Sequence, residues 1–287
     1  MLHVIEETIM DSIKMLPFLY IAYLILEYLE KKSNIKEILK NSGKFGTIIG
    51  ATLGAVPQCG FSVTASSLYA GRVITLGTLI SVFLATSDEA IPILLTTPNM
   101  LGEVLKIIIV KIIYGFIAGF VIDFILSKKN HKYLTKKNSH EHITAMCEHV
   151  HSKDKKHSIW LHALKHTLNV FVYILIVAFV LNSIIHLIGS ENLSKVLMQG
   201  SVLQVFIAGI IGLIPNCASS VVLTNLFVAG NISFASIIAG LCTNAGIGLV
   251  VLFKENKYIK ENLKIVGLLY FLGVLIGVIL QIISNLI

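Results

Sequence analysis

Two short stretches place a proline, a thiol, an amide and hydroxyls inside apolar sequence: Gly54–Val63, GAVPQCGFSV, and Gly212–Val221, GLIPNCASSV. A proline removes a backbone donor and ends or kinks a helix. Cys59 and Cys217 therefore fall where a new short helix would begin, and the partial positive charge of a helix N-terminus favours a thiolate there. Gln58, Ser62, Asn216 and Ser220 add oxygen donors and acceptors at the same two turns. A single break of this kind reads equally well as packing, with cysteine as a small hydrophobe and serine and glycine allowing close helix approach. Its recurrence favours two halves of one polar site, with Cys59 and Cys217 as metal ligands.

The segment FLATSDEAIPILL carries Asp88 and Glu89 with about ten apolar residues on either side. A carboxylate at mid-bilayer costs about 2.5–3.5 kcal/mol on insertion scales, and such groups face an ion or proton pathway. The competing reading is a pair near a helix end that snorkels. Asp88 and Glu89 are taken as metal ligands or proton carriers, and the flanking Thr86, Ser87 and Pro92 imply an irregular helix. SDEAIP (Ser87–Pro92) resembles TNAGIG (Thr243–Gly248) after a slip of two positions, which brings neutral, oxygen-rich Thr243 and Asn244 into the same set. Lys106, Lys111 and Lys264 are read as helix-end lysines that snorkel.

A third group lies in the polar stretch between the apolar halves. Eight of the chain's ten histidines fall between residues 130 and 166. His140, His142, Cys147, His149, His151, His162 and His166 supply imidazole and thiol at the density of metal ligands, although no spacing matches a closed zinc module. His162 and His166 are four apart and share one helix face. The expected role is metal capture on the cytoplasmic side, against the alternative of a solvated linker.

The elements that must position these groups are helices in a membrane. The chain is 55% hydrophobic and 14% charged, where a soluble domain carries about a quarter charged residues. Leu16–Leu26, Leu76–Leu95, Ile107–Leu126, Val170–Leu187, Ile232–Leu252 and Ile265–Ile283 are apolar runs on the scale of a roughly 30 Å bilayer core. With Glu6, Glu7 and Asp11 ahead of the first run, no cleavable leader is expected. The net charge of +7 resides in loop lysines, the pattern that sets membrane orientation and not a nucleic-acid signature.

Sliding the chain against itself by 158 positions superposes the two Pro-x-Cys stretches, Lys106-Ile107 on Lys264-Ile265, and Gly115 and Gly119 on Gly273 and Gly277. This predicts an all-α polytopic membrane protein of about ten transmembrane or half-membrane helices, in two inverted repeats of five, each with a short broken-helix hairpin. The expected divisions are 1–128, a His/Lys-rich cytoplasmic linker 129–164, and 165–287. In the first half the elements are 12–30, 43–56, 60–71, 75–97 and 104–127; in the second, 166–188, 201–214, 218–229, 232–252 and 264–286. Placing the N-terminus outside puts loop 31–44, Arg72, segment 128–158 and loop 253–264 together on the cytoplasmic face. The glycine pairs are assigned to helix packing.

The repeated hairpins, ATSDEAIPIL, the Cys/His linker and ALKHT (Ala163–Thr167) resemble the ten-helix heavy-metal exporters, a family also described as arsenic efflux permeases or manganese transporters. The resemblance covers nearly the whole chain and implies export of a metal or metalloid; this linker has only Cys147 as its thiol. Ligand softness divides the substrates: carboxylate and carbonyl suit manganese, thiolates suit arsenite. The expected function is a secondary transporter that exports a divalent heavy-metal ion, manganese or similar, across the cytoplasmic membrane. Arsenite or organoarsenical efflux and an organic-anion permease are the alternatives. No G-x-x-x-x-G-K-[ST] phosphate loop occurs, so a proton or ion gradient is the expected energy source. No cofactor and no nucleic-acid partner is expected; the partners are the metal or metalloid ion, the lipid bilayer and a coupling proton. An intramembrane enzyme is disfavoured, since no Ser/His or H-E-x-x-H pair lies in an apolar run.

Overall fold

The computed structural model describes residues 46–56, 60–87, 90–135 and 202–286, with scattered helical positions, singly or in pairs, between 16 and 24 and between 164 and 179. Among the described residues the chain is helical and has no strand. The helices are α1 (46–54), α2 (Gly60–Ala70), α3 (Leu76–Ala85), α4 (Ala90–Thr96) and α5 (Leu101–Thr135). A second set comprises α6 (Val202–Gly212), α7 (Cys217–Val228), α8 (Phe234–Thr243), α9 (Gly248–Glu255) and α10 (Ile259–Leu286). Leu76–Leu95, Leu101–Leu126, Phe234–Glu255 and Ile259–Leu286 are long and apolar enough to cross a membrane, whereas Val202–Gly212 and Cys217–Val228 are shorter apolar helices.

The two sets share a register at most of their helix ends. α3 and α8 lie 158 positions apart at both ends. Each is capped by a hydroxyl at the same offset: Thr75 accepts from Thr78 N, and Ser233 accepts from Ser236 N. Both capping hydroxyls also donate to a side chain on the long helix that follows. Thr75 Oγ1 reaches Asp123 Oδ2 at 2.6 Å, and Ser233 Oγ reaches Gln281 Oε1 at 3.0 Å. This register corrects the slip expected between Ser87–Pro92 and Thr243–Gly248. The helix interruptions themselves hold the unslipped offset, with the C-cap Thr86 answering to the C-cap Asn244 and the next helix starting at Ala90 in one set and Gly248 in the other.

A second correction concerns 232–252, expected as one element. It is two helices separated at Asn244–Ile247, where Asn244 takes an extended conformation and Gly246 has φ +53°. No proline marks this break; the left-handed glycine turns the chain instead.

The long helices show why they sit where they do. On α5, Leu101, Leu105, Ile109, Ile113 and Ile117 are exposed at intervals of four, while Val104, Ile107, Lys111, Gly115, Ala118 and Ile122 form the buried stripe. An apolar stripe left outside in a chain of this hydropathy faces lipid. The buried stripe packs α5 on α3, and α10 packs on α8. A Cβ at Gly115 would lie 3.0 Å from the Ser81 carbonyl oxygen, and one at Gly277 would lie 3.0 Å from that of Ala235. The glycine pairs are therefore packing positions, as expected.

The halves also interlock. α9 packs on α2, and α7 packs on α4, so each half places the helix that follows its interruption against a short helix of the other half. Their shared core includes Leu79, Phe83, Leu94, Ile107, Leu223, Ile238, Cys242 and Leu269.

Candidate functional site

The second Pro-x-Cys turn is defined residue by residue. α6 ends at Gly212, and Asn216 is the N-cap of α7 with its side chain accepting from Ala218 N. Cys217 is thus the first residue of a new helix, as the sequence predicts, and it is buried. Ser219 Oγ donates to Asn216 O at 2.7 Å, and Ser220 Oγ donates to Cys217 O at 2.7 Å. Asn216, Cys217 and Ser220 share one buried turn, in which the hydroxyls fold back on carbonyls of the helix start. The helix N-terminus leaves N–H groups without helical partners at this turn.

Thr243 and Asn244 stand at the interruption of α8. Thr243 Oγ1 donates to Gly209 O at 2.8 Å and Gly240 O at 3.0 Å, tying the break to α6. Asn244 Oδ1 accepts from Gly246 N at 2.8 Å, which fixes the turn. The chain then enters α9 at Gly248, which lies against Ser62 of α2: a Cβ there would meet the Ser62 backbone at 2.9 Å. Ser66 Oγ bridges the contact, donating to Gly248 O at 2.7 Å and to Ser62 O at 2.9 Å. Ser62 is therefore brought against the second half's interrupted helix, four residues beyond Asn244.

Gln58, Cys59, Asp88 and Glu89 lie outside the described residues, as do His140, His142, Cys147, His149, His151, His162 and His166. Among the described residues no group of three or more His, Cys, Asp or Glu side chains is placed to hold a metal ion. The described part of the site offers instead carbonyl, amide and hydroxyl oxygens with two buried thiols, Cys217 and Cys242.

Lys111 overturns its expected role. It does not snorkel: it is 0% exposed, about midway along the 101–126 span. Its Nζ donates to the carbonyl oxygen of Thr86, at the end of α3, and to that of Leu241, in the last turn of α8, the latter at 2.6 Å. Cys242 lies within electrostatic range of it. A sequence signal was available. Lys111 precedes Gly115 and Gly119 by four and eight residues, so it shares the face that packs on α3 rather than the face toward lipid. Lys106, by contrast, is exposed and pairs with Glu103 at 2.8 Å, and Lys264 is exposed.

A second polar contact between the halves is made at Arg72. Its guanidinium pairs with Glu261 at 2.6 and 2.9 Å, and Tyr69 OH donates to the same carboxylate. Burial pulls the Arg72 guanidinium down, but the hydrogen bonds and charge of Glu261 hold it above its ordinary range.

A family described as "Putative, 10TM heavy-metal exporter" has a model that matches residues 15–187 and 166–286. No curated protein and no solved structure matches the chain.

Proposed function

Because this chain belongs to that family of ten-helix heavy-metal exporters, we propose that it exports a divalent heavy-metal ion, manganese or similar, across the cytoplasmic membrane through one central site. The observation that carries the reading is the reciprocal packing of α9 on α2 and of α7 on α4. Each short helix that follows a Pro-x-Cys stretch abuts the other half's interrupted helix, which supports one shared site between the halves. Such breaks are tolerated at membrane depth where they line a cavity.

In this reading residues 1–128 and 165–287 are inverted repeats. The common 158-residue register of helix ends, caps and cap partners supports them. The linker 129–164 is cytoplasmic and collects metal through its histidines and Cys147. Cys59, Cys217, Asp88 and Glu89 ligate the ion, while Gln58, Ser62, Asn216, Ser220, Thr243 and Asn244 provide oxygens and shape the turns. One of the two carboxylates also carries a coupling proton, and the repeats rock about the site to give alternating access. The family's description is of a transport protein, and the chain is read as a transporter, not an enzyme.

The buried thiols Cys217 and Cys242 favour a second reading, arsenite efflux, since arsenite takes thiolate ligands. A metal-sensitive host expressing the chain, challenged with manganese, zinc, cobalt, arsenite and methylated arsenicals, separates the two. Manganese export requires that Asp88→Asn abolish tolerance to divalent ions. Loss confined to arsenite in Cys59→Ala or Cys217→Ala selects the metalloid. Unchanged tolerance to the whole panel refutes export of either kind.

A further inference from the structure

Lys111 is the one described lysine with no exposure, and it stands where the two halves meet. Among the described residues neither carbonyl it holds has a helical N–H partner. In an unbroken helix the N–H of Ala90 would reach Thr86 O, but here it bonds to Ser87 O at 3.0 Å. Leu241 O lies in the last turn before the Asn244 interruption, where carbonyls run out of partners as well. The position 158 residues on, Leu269, is a buried leucine, so one ammonium from the first half serves the breaks of both. Broken-helix C-termini with free carbonyl oxygens are the groups that bind cations in transporters built from repeats. A lysine ammonium is a compact point charge that binds such oxygens as a small cation does.

We infer that Lys111 is a tethered cation: its ammonium holds the Thr86 and Leu241 carbonyls, Thr86 standing two residues along the chain from the proposed ligand Asp88, and it gives up those oxygens to the transported metal when the ion arrives. This rests on the export reading above. The consequence is kinetic. With metal bound, or with Lys111 in place, the carbonyls are satisfied and the repeats can reorient. Without either, two orphan carbonyls sit in a water-poor core and the return step stalls. Lys111 is then required for net export and dispensable for exchange of one metal ion against another.

The test uses the purified full-length chain in liposomes, with manganese as the probe. Net flux is followed by a metal-quenched dye, and exchange by radiolabelled manganese with unlabelled manganese on both sides. Lys111→Met loses net flux by at least about tenfold, as expected when buried carbonyls lose their donor, while exchange stays near the wild-type rate. Loss of both activities in a monodisperse, folded Lys111→Met protein overturns the inference, and so does retention of both. Should Lys111→Met fail to fold, Lys111→Arg decides. Its guanidinium keeps the charge on the carbonyls but grips them with a planar, multi-donor fork, so manganese binding weakens by about tenfold or more. Unchanged manganese affinity in that variant overturns the inference. A wild-type chain that moves no manganese, zinc or cobalt in either assay refutes instead the export reading, and this inference falls with it.

Discussion

Arg72 and Glu261 join the two halves, and cutting that link has a calculable cost. Arg72 follows the end of α2 at φ +60°, and Glu261 lies in the first turn of α10. The two guanidinium nitrogens take the two carboxylate oxygens at 2.6 and 2.9 Å, a paired geometry that is stronger than a single contact. The Arg72 guanidinium also lies 5.2 Å from the Tyr69 ring centre and 5.7 Å from that of Tyr258. The side chains are 14% and 27% exposed, between the fully wet pair worth about 0–1 kcal/mol and the buried one whose disruption costs about 3–5 kcal/mol. A coupling of about 1–3 kcal/mol follows by interpolation. The assay is a double-mutant cycle of Arg72→Met and Glu261→Gln in detergent micelles, read by denaturant or thermal unfolding. Each single variant strands a partly buried partner, so the double variant loses less than the two singles together. A coupling below about 0.5 kcal/mol, within the additivity of unrelated sites, refutes the reasoning and leaves the halves held by apolar packing and by the buried Ser66 and Lys111 contacts. At the same offset in the other direction stand Gly230 and Glu103, and Glu103 pairs with exposed Lys106 on its own helix. The cross-half clamp therefore acts at one face, and Glu261→Gln raises the labelling of cysteines introduced near Tyr258 by a membrane-impermeant maleimide.

Gly248→Val drives a side chain into the Ser62 backbone, where even a Cβ would sit at 2.9 Å. Overpacking of this kind costs about 1–3 kcal/mol, so folded yield in detergent falls and export is lost. Gly267→Ala, with open space around it, leaves both unchanged. Asn216→Ala removes the cap of α7 and lowers stability by about 0.5–2 kcal/mol. Asn216→Ser keeps a cap acceptor and most of the stability without placing a charge at this buried turn, which unfolding of the three proteins side by side will check.

The sequence by itself determined the class of molecule, because uninterrupted apolar runs can satisfy their backbone in lipid only as helices. It also displayed the recurrence of Pro57 and Cys59 as Pro215 and Cys217 at one spacing, and it located the start of α7 at Cys217. The interruption at Asn244–Ile247 stayed hidden because it uses an asparagine turn and a left-handed glycine in a run that reads as continuously apolar. Lys111 was misread for a related reason. Proximity to a helix end suggested an escape to water, whereas its helical phase, shared with Gly115 and Gly119, turned it inward. Helical phase is local, but its consequence is not. Whether an inward lysine is a defect or a fixture depends on what it meets, and the carbonyls of Thr86 and Leu241 stand 25 and 130 residues away in the chain. Only the tertiary structure could bring them together, because their loss of helical partners is what leaves room for an ammonium between them.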